Sequence, residues 1–356
     1  MSMIEVDGSF REGGGQILRT ALGLSCLLQK PFRIYDIRKG RRKAGLMPQH
    51  LTCVRAAQLL SNAQVTGDTA GSTELSFSPG EVKSGDYLFD IGTAGSTSLV
   101  FQTIIPAVIF AKIEKTTITL KGGTHVPFSP CYHYLDKVFG TFLRSVGITV
   151  NFSIASYGFY PKGGGKVSAE IYATERIKPL SVIERGSLSR LTGISGVGNL
   201  PISIAERQKE AFVRKLHPVM QDRICPVDVE LLNVSTPGQG TFLFLYSESA
   251  KSCAGFTSLG EKWKKAEVVG QEAAEEFLTY YFTGAAFDPH LSDQVVLYLA
   301  MCRKESIFST SCITEHLMTN LWVIRLFHKY SYAVEGEPGK PGIVRINPLS
   351  NNLQTL

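Results

Sequence analysis

The chain is predicted to be an α+β protein in which one unit, two helices packed on a four-stranded sheet, is used three times. A small α/β domain is inserted in the third unit. Three observations predict this. First, the order strand, glycine turn, helix, strand, polar loop, helix, strand, strand appears twice, its glycine turns about 80 residues apart. Second, apolar residues fall at helical spacing where that order asks for helices and alternate where it asks for strands. Third, a third copy of the order is interrupted by a stretch with strands and helices of its own. Such a unit cannot bury its apolar face alone, so three are expected to share a core.

In the first unit, Met3 to Asp7 reads as a strand and Gly13 to Gly15 lead directly into a helix. Ile17, Ala21, Leu24 and Leu28 form the core face of that helix, with Gln16, Arg19, Thr20 and Gly23 opposite. A strand at Phe32 to Ile37 precedes the loop IRKGRRKAGLMPQH, a helix from about Pro48 to Leu60, and two strands, the second at Thr73 to Ser78. In the second unit the strand is Tyr87 to Ile91, the turn GTAGS and the helix Thr97 to Phe110. A strand at Thr116 to Lys121, the loop Gly122 to Pro130, a helix at Tyr132 to Val146 and strands at Thr149 to Ser156 and Lys166 to Tyr172 complete it. The third unit is expected to open with a strand at Ser189 to Val197 and to resume with a helix from His290. A strand at Ile307 to Thr310, a helix from Thr314, and strands at Tyr332 to Glu335 and Gly342 to Ile346 follow. The predicted division is a core of residues 1–200 and 289–356 (repeats about 1–82, 83–180, and 181–200 with 289–356) and an insert of 201–288. The insert carries the basic amphipathic helix ERQKEAFVRKL, strands at Val227 to Leu232 and Thr241 to Tyr246, and a long helix from about Glu261 to Phe282.

At 356 residues, 44% hydrophobic and 19% charged, the composition is that of a globular protein with a substantial core. The net charge of +6 is compatible with a phosphate-rich partner without requiring one. Seven widely spaced cysteines, none in a CxxC pair, favour reduced thiols in an intracellular compartment over a disulfide frame or zinc knuckle. MSMIEVDGSF lacks a signal-peptide apolar core, and the apolar run Leu99 to Ala111 is too short to span a bilayer. A cytoplasmic protein that does not enter membranes is expected.

The chemistry concentrates at the turns. Glycine turns before helices expose backbone amides to an anion, although tight strand-to-helix packing explains them equally well. GSFREGGGQ lacks the Lys-Ser/Thr of a phosphate-binding P-loop and does not follow G-x-G-x-x-G spacing. Arg38, Lys39, Arg41, Arg42 and Lys43 place five cations in six positions beside Gly40, either a solvated face or a phosphate-binding loop. GFYPKGGGKV reads as a hairpin turn on spacing alone. Glu12, the acid of the first glycine turn, could hold a magnesium ion or simply favour the helix start. His316 sits in the first turn of the helix from Thr314, where the positive end of the helix favours a neutral, nucleophilic ring. The other six histidines form no HxxxH or HExxH set, so no dedicated zinc site is expected.

Six segments in order, EGGGQILR, IRKGRRKAGLMPQH, FDIGTAGSTSLVFQT, GFYPKGGGKV, HLSDQ and EHLMTN, make the chain resemble the RNA 3′-terminal phosphate cyclases over essentially its whole length. The resemblance implies a ligase that uses ATP to convert an RNA 3′-terminal phosphate to a 2′,3′-cyclic phosphodiester. It implies a covalent histidyl-AMP enzyme, an RNA–adenylate intermediate, and release of pyrophosphate and AMP. It further implies that His316, in the H-L-x-T-N motif, is the nucleophile and that Glu12 is the acid for Mg2+ or Mn2+. Arg19, Arg38 and Arg41 are implied around the phosphates, and Gln49, His50 and Gln102 in the same cleft. Asp293, Gln294, Pro127 and Phe256 are implied near the nucleotide; His290 stands where similar sequences often carry Tyr. The implied partner is RNA with a 3′-phosphate end; no base-reading or DNA-specific motif is present, and a homodimer is left open. Two other readings share parts of this pattern: a non-enzymatic, cyclase-like RNA-binding protein of ribosome assembly, and an enolpyruvyl-transferase-like enzyme. The intact histidine motif and glycine segments disfavour the former, and three units instead of six disfavour the latter.

Overall fold

A computed structural model describes residues 3–110, 115–220 and 227–348. In the first unit, β1 (Ile4–Asp7), α1 (Gly15–Leu28), β2 (Phe32–Tyr35), α2 (Pro48–Ser61), β3 (Gln64–Thr66) and β4 (Leu75–Ser78) follow the expected order. The sheet runs β1-β2-β4-β3, with β1 and β2 parallel and the other pairs antiparallel. The second unit has β5 (Asp86–Asp90), α3 (Thr97–Val108), β6 (Lys115–Gly122), α4 (Tyr132–Tyr134), α5 (Gly140–Ser145), β7 (Val150–Ser156) and β8 (Gly165–Tyr172). A π-helical turn, Leu135–Phe139, joins α4 to α5, so the single helix expected there contains a local change of pitch. Its sheet, β5-β6-β8-β7, repeats the topology of the first.

The third unit is where expectation and structure part. Its opening strand is β9 (Ser181–Val182), parallel to the later strand at 306–310. The segment expected to open it lies instead in β10 (Leu188–Gly198), the inner strand of a fourth sheet. The inserted sheet therefore begins before residue 201. Two residues carry no readable period, whereas the eleven-residue β10 does, and the longer signal drew the assignment. The insert continues with α6 (Ser203–Met220), β11 (Val227–Asn233), β12 (Gly240–Ser249), β13 (Cys253–Leu259) and α7 (Ala266–Thr283), in sheet order β11-β10-β12-β13. The third unit then resumes with α8 (Pro289–Ala300), β14 (Ser306–Thr310), α9 (Glu315–Phe327), β15 (Tyr330–Gly336) and β16 (Gly342–Pro348). Its sheet, β15-β16-β14-β9, is the same topology a third time.

The helices of all three units bury their apolar faces in one core, to which Leu18, Leu22, Phe101, Ile104, Val295, Leu321 and Ile324 contribute. The insert has a second core around Phe212, Leu243, Leu245, Val269 and Phe277. Strand β12 serves both. Leu243 and Leu245 face the insert's helices, while Phe242 and Phe244 face His125 and His133 of the second unit. Cys225, one of the seven cysteines, lies outside the described residues; the other six are free thiols. Among the described residues, no helix is long and apolar enough to cross a membrane.

Candidate active site

Helix α9 presents His316 because its neighbours on either side are spoken for. Thr314 caps the helix, its Oγ1 accepting from Leu317 N at 2.9 Å, and Leu317, Leu321 and Ile324 are buried. That orientation turns His316 outward, half exposed, toward the first glycine turn. Its Nδ1 meets Gln16 Oε1 and lies 3.9 Å from Glu12 Oε2. Glu12 is only 11% exposed and is paired through Oε1 with the Arg41 guanidinium, while Oε2 accepts no hydrogen bond. Arg41 Nη2 also donates to the Glu12 carbonyl at 3.2 Å, and Arg38 Nη1 to Gly45 O at 3.1 Å, so the basic loop folds over the turn.

Helices α1 and α9 are held together beside the histidine. Thr20 Oγ1 donates to Asn320 Oδ1 at 2.7 Å, and Asn320 Nδ2 donates to Asp293 O at 2.6 Å. Thr314 Oγ1 donates to Asp293 Oδ1 at 2.5 Å. Burial pushes the Asp293 carboxyl up to about 8, which leaves it mostly protonated at neutral pH. Burial, with Arg19, His290 and Arg41 nearby, holds His316 below the ordinary imidazole value. Desolvation, more than the helix end, is thus the main influence that favours the neutral ring.

Gly15 shows what the first glycine turn is for. A Cβ there would stand 2.2 Å from His50 Nε2 and 2.8 Å from Arg19 Nη1. Glycine makes room for these two side chains beneath the turn. His50 Nδ1 accepts from Met47 N at 3.1 Å, which leaves Nε2 to carry the proton. Burial, then the charges of Arg19 and Arg38, pushes His50 down to about 3. Arg19 is partly buried at the cleft wall, and desolvation lowers its pKa.

A cleft of about 1910 Å³ opens between the repeated units and the insert. Arg19, Gln102, Pro127, His290, Asp293, Gln294 and His316 line it. Glu12, Arg38, Arg41, Gln49 and His50 do not line the cleft itself. The first three and His50 gather around Gly15, Arg19 and His316, while Gln49 Oε1 accepts from Ser96 N at 3.3 Å in the second glycine turn. Phe256 is a correction. It lies in the insert's core, 6% exposed, against Phe277 and Tyr280. Its neighbours Gly255 and Thr257 line the cleft, with Ser258 and Leu259 at the end of β13, while the Phe256 ring itself packs into the insert's core. His290 is exposed in the first turn of α8, its ring edge-on to Tyr134 at 6.2 Å. Gln16, Asn320 and Tyr134 also line the cleft and were not expected there. Gln16 shares the polar face of α1 with Arg19, a pattern that could have found it; Tyr134 has no such signal. Gln49 Nε2, Gln102 Nε2 and Gln294 Oε1 join Glu12 Oε2 as buried polar atoms without hydrogen bonds, capacity that a polar ligand would satisfy.

A sequence model of the family described as RNA 3′-terminal phosphate cyclase matches residues 10–334. The chain is similar to the RNA 3′-terminal phosphate cyclase of Sulfolobus acidocaldarius, 45% identical over 94% of this chain and 97% of that protein. It is 40% identical to that of Staphylothermus marinus over 98% of each chain. With the Thermococcus kodakarensis protein of the same name it shares 42% identity over 97% of this chain and 98% of the other. Among solved structures, the enolpyruvyl transferase NikO from Streptomyces tendae aligns with 97% of this chain and 48% of its own. At a TM-score of 0.33 and 8% identity that likeness carries no weight.

Proposed function

Because the chain belongs to the RNA 3′-terminal phosphate cyclase family, we propose that it converts RNA 3′-terminal phosphates to 2′,3′-cyclic phosphodiesters with ATP as activating substrate. One observation carries the reading. His316, half exposed and with its pKa lowered by burial, lines the cleft with Arg19 and stands beside Arg41 and the largely buried Glu12 carboxylate, with Arg38 close by.

Nδ1 of His316, donating to Gln16 Oε1, leaves the Nε2 lone pair free to attack. Nε2 forms a bond to the α-phosphorus of ATP and pyrophosphate leaves. An oxygen of the RNA 3′-phosphate then takes the AMP, breaking the N–P bond and restoring the histidine. The vicinal 2′-hydroxyl attacks the activated phosphorus and AMP departs with the bridging oxygen. The last step is intramolecular, so the protein need only hold the ribose in place. Arg19, Arg38 and Arg41 would stabilise charge on the phosphates, Arg19 most strongly because it is desolvated. Gln102, Pro127, His290, Asp293 and Gln294 would enclose the nucleoside, with Gln49 and His50 bracing the turns from behind.

Among the described residues no three His, Cys, Asp or Glu side chains cluster as a metal site, but the orphaned Glu12 Oε2 suits a divalent cation. Glu12 would hold Mg2+ or Mn2+ with phosphate oxygens and water as the remaining ligands, and the ion would offset phosphate charge. We read the inserted sheet and its two helices as a separate domain set into a three-unit core. The six free thiols among the described residues support the reading of a reducing, cytoplasmic location.

The test is product analysis. With ATP, Mg2+ and a 3′-phosphorylated RNA, the 3′ end becomes phosphatase-resistant, with AMP and pyrophosphate each released in proportion to cyclised ends. RNA that stays phosphatase-sensitive, with no AMP released, contradicts the proposal.

A further inference from the structure

Three large aromatic side chains stand exposed around the mouth of the cleft: Phe128 at 103%, Trp263 at 90% and Tyr160 at 68%. Phe128 and Tyr160 line the cleft, and Trp263 lies between the cleft-lining Lys262 and Lys264. A single exposed apolar residue needs no explanation, but three at one opening do. Phe128 and Trp263 also have φ of +61° and +74°, a left-handed conformation that disfavours bulky side chains. Packing does not recover that disadvantage, since both rings face solvent.

Cations accompany the rings. Lys162 follows Tyr160 by two positions, and Lys262 Nζ stands 5.3 Å from the centre of the Trp263 ring. Lys162, Lys262 and Lys265 enter no ion pair among the described residues, whereas Lys264 is tied to Glu272. The Tyr160–Lys162 tip is held firmly. Gly163 packs on the second glycine turn, where a Cβ would come within 2.7 Å of Thr93 O. On the other side Gly240 of the insert sits so close to Phe159 that a Cβ would be 2.1 Å from its ring. The segment that spacing alone reads as a hairpin turn is thus a fixed platform between the repeated units and the insert.

We propose that this rim is a track for unpaired RNA immediately 5′ of the reacting end. Bases preceding the terminal nucleotide stack on Tyr160, Trp263 and Phe128, and the intervening phosphates pair with Lys162, Lys262 and Lys265. Aromatic rings interleaved with cations hold single strands with little regard to sequence, because every base has a π-face. The inference rests on the cyclase reading and adds the substrate's form: a frayed or single-stranded 3′ end of several nucleotides.

Trp263 reports on its own role, since the only other tryptophan, Trp322, is stacked on Phe10 at 4.1 Å. Without ATP, a 3′-phosphorylated single-stranded decamer of mixed sequence should quench tryptophan fluorescence and bind more tightly than a dinucleotide with the same 3′-phosphate. Tyr160→Ala and Trp263→Ala should each weaken decamer binding, read by fluorescence anisotropy of labelled RNA, by about 5- to 150-fold, the range expected for one lost base stack. Dinucleotide binding should not move. Trp263→Phe should restore decamer affinity while abolishing the quench. Equal wild-type affinities for decamer and dinucleotide, or unchanged decamer binding in both alanine variants, would overturn the track and leave the terminal chemistry standing. A wild-type protein that binds the decamer but cyclises no 3′-phosphate would remove the cyclase reading, and the track with it.

Discussion

The first and second units share a strand order, a glycine turn and a polar loop, yet only the first gathers arginines around its turn. In the first, the turn leaves room for Arg19 and His50, and the loop folds Arg38 and Arg41 back over Glu12. In the second, Ser96 caps α3 by accepting from Leu99 N at 3.3 Å, and a Cβ on Gly95 would meet Ile91 and Gln49. Its loop turns His125 inward: that ring is 1% exposed, stacked on Tyr157 and packed against His133 and Phe242, and burial holds it well below the ordinary imidazole value. The first loop folds over the turn beside His316, whereas the second packs His125 against the insert and lends Pro127 and Phe128 to the cleft. The backbone repeat supplies turns at the right height; the side chains beneath each turn decide its use.

The largest test of that division is His316→Ala. With the covalent nucleophile gone, RNA cyclisation should fall by at least about 10³-fold while thermal stability is nearly unchanged, the side chain being half exposed. An unaltered rate would place the chemistry outside the first unit's turn. Next is Arg19→Lys, which keeps a charge but loses the planar fork in a desolvated site, for an expected drop of ~10²-fold in kcat/KM measured with ATP.

A pair of glycine substitutions sharpens the comparison directly. Gly15→Ala drives a methyl group into His50 and Arg19, so activity should fall on the order of 10²-fold, with ~1–3 kcal/mol lost in stability by denaturant titration. Gly92, in the second turn, has φ +71° and open space around it. Gly92→Ala should cost about 1–2 kcal/mol through backbone strain and leave cyclisation intact. Equal loss of activity in both would erase the distinction between the turns.

The smallest effect concerns Asp293. Its folded carboxyl, raised to about 8, keeps a proton that the unfolded chain releases near 4. The folded state then binds more protons, so this group's contribution to stability declines as pH rises from about 4 through about 8. Asp293→Asn should flatten that decline, shifting Tm at the alkaline end by on the order of a few degrees upward relative to the parent. A parallel pH–Tm curve in the variant would mean the carboxyl is ionised in the fold.

What could be read from the sequence followed period and local spacing. The unit order was legible because strands and helices of ordinary length repeat it, and β9 was not because two residues have no period. The stripe Leu317, Leu321, Ile324 announced how α9 is buried, and so which way His316 points. Its meeting with Glu12 and Gln16 joins residues about 300 positions apart, a contact that no local pattern encodes; the resemblance supplied it for Glu12 and nothing did for Gln16. Phe256 was placed near the nucleoside by resemblance, and its ring packs into the insert's core. Gly15 was legible as a turn residue but not as a space for the Arg19 and His50 side chains, because the occupants come from α1 and α2.

The most direct measurement is covalent labelling. The protein and its His316→Ala variant are incubated with Mg2+ and ATP labelled in the α-phosphate, then separated under denaturing conditions. The account predicts an acid-labile, alkali-stable label on the parent, absent from the variant, as a histidine phosphoramidate requires. Equal labelling of both, or of neither, would contradict the assignment of His316 as the group that takes AMP.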